Sequence, residues 1–144
     1  MIRKFILATA LVASVGAVSV PAMANDIYIN QWGWGHQAGG EQDGRRNAIG
    51  IFQEGWRNKT TNQQYGNRNT AASGQSGHDN SARTWQSGNR NQAGVGQFGS
   101  NHNSVLTQDG NGNVAAGVQI GNGCETTLDQ SGSGNVAAFV QVCP

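Results

Sequence analysis

The sequence is poor in most of what builds an ordinary globular core. Only 12% of its 144 residues are charged and 7% aromatic, and it has two cysteines and two prolines. There is a single long apolar run, residues 5–20, preceded by Arg3 and Lys4 and followed by Ala22-Met23-Ala24. That run is short for a membrane span. A positive start, an apolar middle and a small-x-small end form an export leader. Residues 1–24 are therefore expected to be a signal peptide, and the mature chain to begin near Asn25 outside the cell. Taking Arg3 and Lys4 from the nine basic residues leaves seven against eight acidic ones, a formal charge of −1. That balance disfavours nucleic-acid binding by bulk charge. Catalytic groupings are missing too. His36, His78 and His102 are far apart, the carboxylates are scattered, and the nine-residue aspartate period of RTX-type calcium repeats is absent. The expectation is a protein that is not an enzyme and holds no cofactor or metal.

What the sequence does have is repetition, which is the first thing to seek in such a chain. Glutamine recurs every eleven residues without a miss: Gln31, Gln42, Gln53, Gln64, Gln75, Gln86, Gln97, Gln108, Gln119, Gln130 and Gln141. Only Gln37, Gln63 and Gln92 fall outside that phase. Glycine follows two residues later in ten of the units, and Cys143 takes the place in the eleventh. Five residues after the glutamine stands asparagine, at Asn47, Asn58, Asn69, Asn80, Asn91, Asn113 and Asn135, with His36, His102 and Cys124 as replacements. Seven after it comes a small residue in almost every unit, such as Ala71, Ala82 and Ala93. Low charge and abundant Gly, Asn, Gln and Ser also suit a disordered chain, but disorder does not keep eleven glutamines in one phase.

An eleven-residue apolar period can mark a right-handed coiled coil. A glycine in every unit, at a cost of about 1 kcal/mol each against alanine, excludes it. The phased columns lie two residues apart, which is the period of a strand. Only the third and fourth residues after each glutamine are left over, and they include Asn111-Gly112, Asn122-Gly123 and Ser133-Gly134. Such pairs tolerate positive φ and mark tight turns. Each unit is therefore expected to be a nine-residue strand and a two-residue turn. Two units close a 22-residue coil, stacked on the next at about 4.8 Å. The predicted fold is all-β, a β-solenoid of about five coils over 31–144, with residues 25–30 as a short lead-in strand. Inward amides would bond the amides above and below, each for about 0.5–1.5 kcal/mol net.

Two features stand apart from the ladders. Arg46, Arg68 and Arg90 share one turn column in alternate units, with Arg45 beside the first, so they stack on one edge and repel one another. They are candidate gatekeepers against premature association. Cys124 and Cys143 flank the same turn one coil apart; in an exported chain a disulfide is the default, the alternative being two unpaired thiols. Trp32, Trp34, Trp56, Trp85, Tyr65 and Phe98 fall on outward or turn positions, either as scattered surface residues or as lateral contacts between fibres or with a target.

The unit Gln86-Ser87-Gly88-Asn89-Arg90-Asn91-Gln92-Ala93-Gly94-Val95-Gly96-Gln97 resembles the curlin repeat, and the resemblance covers residues 31–141. Curlins are the subunits of curli, the functional amyloid fibres of bacterial surfaces and biofilms. The resemblance implies a β-solenoid subunit that polymerises with itself, leaves through a dedicated outer-membrane pore, and is started by a nucleator subunit at the cell surface. It implies a cell-surface, pilus-like fibre for adhesion to host or abiotic surfaces, without nucleic-acid specificity. The alternatives are a minor nucleating subunit, and a monomeric secreted solenoid that binds ice or carbohydrate. The chain departs from major curlins in carrying asparagine in both halves of each coil, in its short lead-in, and in its cysteine pair.

Overall fold

The computed structural model describes residues 24–144. The expected leader lies outside the described residues except for Ala24. Eleven strands follow one another: β1 (Asp26–Trp34), β2 (Gln37–Arg45), β3 (Ala48–Trp56), β4 (Lys59–Asn67), β5 (Thr70–His78), β6 (Ser81–Asn89), β7 (Gln92–Ser100), β8 (Asn103–Asn111), β9 (Val114–Asn122), β10 (Glu125–Ser133) and β11 (Val136–Val142). Odd-numbered strands form one six-stranded sheet and even-numbered strands a five-stranded sheet facing it. All nine pairings are parallel with a register shift of 22 residues, as in Gln53↔Gln75 and Gln64↔Gln86. The chain is thus a β-solenoid of five coils and a final half-coil.

The first strand begins earlier than the glutamine count suggests. Asp26 to Asn30 pair with Ala48 to Phe52 in the same register as the rest of β1. The lead-in is therefore the front half of the first solenoid strand.

The turn also lies one residue later than the sequence suggests. The third residue after each glutamine is the last of its strand, and the bend is made by the fourth. Positive φ occurs at the second and fourth positions, as at Gly88 (108°) and Arg90 (58°), not at the third. Glycine at the second position has a reason the turn does not supply. A Cβ on Gly88 would lie 1.9 Å from the carbonyl oxygen of Gly110 in the coil above. The chain bends inward here, and only a hydrogen lets consecutive coils keep strand spacing.

Alternation within each strand sends glutamine, glycine, the small residue and the residue two before the glutamine inward. The fully buried apolar side chains are few. Ile49, Ile51 and Ala71 form one cluster near the start; Ala82, Ala93, Val95, Leu106 and Ala115 form another further along, with Leu128 packed against it. Between them lies a polar layer of Asn62, Ser73 and Thr84, in which the Ser73 hydroxyl donates to Asn62 Oδ1 at 3.0 Å. Among the described residues twenty buried polar ones stand against nine apolar ones, so hydrogen bonding rather than apolar area must hold this interior.

Candidate functional site

The glutamine columns form two continuous ladders. In the six-stranded sheet Gln31, Gln53, Gln75, Gln97, Gln119 and Gln141 are joined by Nε2-to-Oε1 bonds of 2.7–3.2 Å. In the other sheet Gln42, Gln64, Gln86, Gln108 and Gln130 are joined at 2.7–2.9 Å. Every bond points the same way: the amide of one coil donates to the oxygen of the coil 22 residues later. The second N–H crosses to the facing sheet, as from Gln86 Nε2 to the Thr70 carbonyl at 3.1 Å. An interior glutamine therefore uses both protons and its oxygen, which removes the penalty of burying an amide.

Asparagine serves the turns. Asn69 Oδ1 accepts the backbone N–H of Asn91, 22 residues on, at 3.0 Å. Its Nδ2 donates to the Tyr65 carbonyl of its own turn at 3.3 Å and to the Gly88 carbonyl of the next coil at 2.9 Å. Asn47, Asn58, Asn80, Asn91, Asn113 and Asn135 occupy the same column, and each bonds a turn carbonyl or the coils beside it. Asn25 belongs with them, because its Oδ1 accepts the N–H of Asn47 at 3.0 Å. The position five before it is Val20 rather than glutamine, so the repeat alone did not reveal it.

The two histidines in this column copy asparagine. His102 is buried; its Nδ1 accepts the N–H of Cys124 at 3.1 Å and its Nε2 faces the Phe98 carbonyl at 3.2 Å. Only the neutral imidazole with its proton on Nε2 satisfies both contacts. His36 repeats the arrangement with Asn58 and Trp32. Sequence reasoning also missed Thr60, whose hydroxyl reaches from the facing sheet and bridges two rungs of one ladder, accepting from Gln53 and donating to Gln75 at 3.2 and 2.9 Å. Thr126 does the same between Gln119 and Gln141.

The remaining singled-out residues lie on the rim or the outer faces. Arg46, Arg68 and Arg90 follow one another on one edge, and with Arg45, Asn67, Asn89 and Asn111 line a cleft of about 720 Å³. On the opposite edge Arg57 approaches Asp79 at 3.9 Å. Cys124 and Cys143 form a disulfide with sulfurs 2.13 Å apart, so the end of β11 is tied to the turn one coil beneath. Trp32, Trp34, Trp56 and Phe98 are exposed on the outer face of the six-stranded sheet. Tyr65 and Trp85 lie 6.3 Å apart on the other sheet. The Tyr65 phenol is held above its usual pKa by partial desolvation and then by the Glu41 and Asp43 carboxylates. Among the described residues no group of three or more His, Cys, Asp or Glu is placed to hold a metal ion.

Both ends of the ladders are unfinished. At the start, Gln42 Oε1 is buried without a partner. At the far end, Gln130 Nε2 donates only to the Val114 carbonyl, while Gln141 has its oxygen engaged and no acceptor for its amide. The first coil offers acceptors and the last coil offers donors. Among the described residues no further strand pairs with the outer edges of β1, β2, β10 and β11.

No curated protein matches the chain. The family described as Curlin associated repeat matches residues 77–110, about three units around Gln86, Gln97 and Gln108. The same inward columns run through the units on either side, in a single unbroken register, and build the stacked solenoid described above. Residues 77–110 thus carry the curlin associated repeat, within a β-solenoid whose fold suits a curli-type structural subunit.

Proposed function

We propose that the protein is the structural subunit of an extracellular amyloid fibre, growing by edge-to-edge addition of folded solenoids. The observation that carries this reading is the pair of unfinished ends. An open strand edge is a template for another chain. Here each edge also carries a polar ladder, donors at one end and acceptors at the other, with a buried oxygen on Gln42 that another copy can satisfy. A cross-β stack of identical columns is the arrangement that gives amyloid its persistence.

Adhesion and a place in the biofilm matrix follow for a fibre at the cell surface, with export through an outer-membrane pore and initiation by a nucleator subunit. A monomeric binder of ice or carbohydrate would present a regular outward ladder of threonine or aromatics. The outward columns are irregular instead: Trp34, Trp56, His78, Ser100 and Asn122 occupy one of them. The test is to incubate the purified mature chain and seek thioflavin-positive fibres with a meridional reflection near 4.7–4.8 Å. A chain that stays a soluble monomer under those conditions overturns the reading.

A further inference from the structure

The two sheets are unequal: six strands in one, five in the other, so the described solenoid begins and ends on the same sheet. At the far end, β11 stands half a coil above β10. Two ways of seating a second copy can be compared. Without rotation, β1 of the incoming copy pairs with β11, and its β2 then lies two strand spacings above β10. One strand is missing from the five-stranded sheet, and the edges of β10 and β2 stay open around the void. With a half-turn about the long axis, β1 of the incoming copy seats on β10, and its β2 seats on β11. Both sheets then continue without a gap.

We propose that successive subunits add with this half-turn, so that neighbours are related by a two-fold screw. The inference rests on the fibre reading above and concerns the ends that the described residues present. Keeping the 22-residue register places incoming Gln31 over Gln130 and incoming Gln42 over Gln141. The free amide proton of Gln130 meets an acceptor, and the amide of Gln141 meets the buried, unpartnered oxygen of Gln42. Without rotation Gln141 meets Gln31 instead, and Gln42 keeps its orphaned oxygen.

Packing supports the same choice. Phe139 lies directly over Gly117, where a Cβ would come within 2.0 Å of its ring. The half-turn covers the other side of that ring with Gly40 of the incoming copy, again without a side chain. The unrotated arrangement covers it with Ile29. Axially, five and a half coils at about 4.8 Å give a rise of about 26 Å per subunit.

Cross-linking distinguishes the two arrangements. In the half-turn register, incoming Tyr28 lies beside Thr127; without rotation it lies beside Ala138. All three positions face outward, and neighbouring strands at about 4.8 Å bring their Cα atoms within disulfide range. Fibres of the Tyr28→Cys/Thr127→Cys chain, oxidised after assembly, are expected to give a ladder of covalent oligomers on a non-reducing gel. Fibres of Tyr28→Cys/Ala138→Cys are expected to stay monomeric there. The reverse pattern, or fibres in which neither pair links, overturns the proposal. Absence of cross-β fibres from the unmodified chain is a different result and removes the fibre reading itself.

A second measurement does not depend on introduced cysteines. The half-turn sets incoming Asp26 beside Glu125, a like-charge pair, whereas the unrotated register sets it beside Val136. Asp26→Asn is therefore expected to raise the elongation rate several-fold at low salt, with the gain disappearing at high salt. An unchanged rate at low salt counts against the half-turn. Image reconstruction of the fibres should show neighbours rotated by about 180° with a rise of about 26 Å.

Discussion

Replacing Gln86 with alanine tests whether the interior amides hold the solenoid. Gln86 accepts from Gln64 at 2.7 Å and donates to Gln108 at 2.8 Å and to the Thr70 carbonyl at 3.1 Å. Truncation deletes those three bonds and leaves a proton of Gln64 and the oxygen of Gln108 unpaired inside. Each buried, unpaired group costs about 1–3 kcal/mol, so the two together should cost about 2–6 kcal/mol. A domain is usually stable by only 5–15 kcal/mol, so roughly half of the total is at stake. Gln31→Ala removes a single bond at an exposed end and should cost about 0.5–1.5 kcal/mol. Gln63→Ala, whose amide reaches only Glu41 on the outer face, should fall within about 0.5 kcal/mol of the parent. Guanidinium unfolding of the three variants, under conditions where the chain is folded and unassembled, gives the comparison. If Gln86→Ala and Gln63→Ala shift the midpoint equally, the ladders do not stabilise the fold and the reasoning fails.

Gly88→Ala puts a Cβ against the Gly110 carbonyl and demands φ of 108°, so the coils around it should lose their pairing; solenoid content by circular dichroism should fall further than for Gly94→Ala, where nothing lies within 4 Å. Thr84→Val removes a buried hydroxyl that has no partner, and should raise stability by about 1 kcal/mol in the same unfolding assay. Replacing Arg46, Arg68 and Arg90 together by asparagine, which tolerates their positive φ, should shorten the lag before fibre growth and flatten its salt dependence; an unchanged lag at low salt removes the gatekeeping role. Changing both Cys124 and Cys143 to serine opens a loop of sequence separation 19 and should cost roughly 3 kcal/mol, read as earlier fraying of β11 by hydrogen exchange.

Most of this architecture was legible because one column repeats with a fixed phase and the others sit two residues apart from it. That pattern selects strands, an inward glutamine and a 22-residue coil with little freedom left. The turns were misplaced because Asn111-Gly112 looks like a hairpin signal, in which both residues take positive φ. In the solenoid the positive φ falls on Gly110 and Gly112, with Asn111 extended between them. The need for glycine at the earlier position comes from a carbonyl 22 residues away, a contact that local sequence does not encode. The same holds for His102: as a variant of the asparagine column it was recognisable, but its tautomer is fixed only by the Cys124 N–H above it. The unpartnered oxygen of Gln42 and the way the terminal half-coil divides the strands six to five became apparent only once strands could be paired in space.

The inward glutamine, glycine and asparagine columns are nearly invariant, while the outward ones change from coil to coil: in one, Glu41, Gln63, Trp85, Thr107 and Asp129 succeed one another. In the proposed fibre, joining the stack depends chiefly on the first set, so recognition between subunits reads little of the surface beyond the charges that meet at the ends. The outer residues are then free to diverge toward whatever the fibre touches without disturbing its growth. It also follows that a foreign chain with the same inward spacing would be accepted at the tip. A population of such chains would make mixed filaments, unless something at the ends, such as the half-coil offset, sorts them.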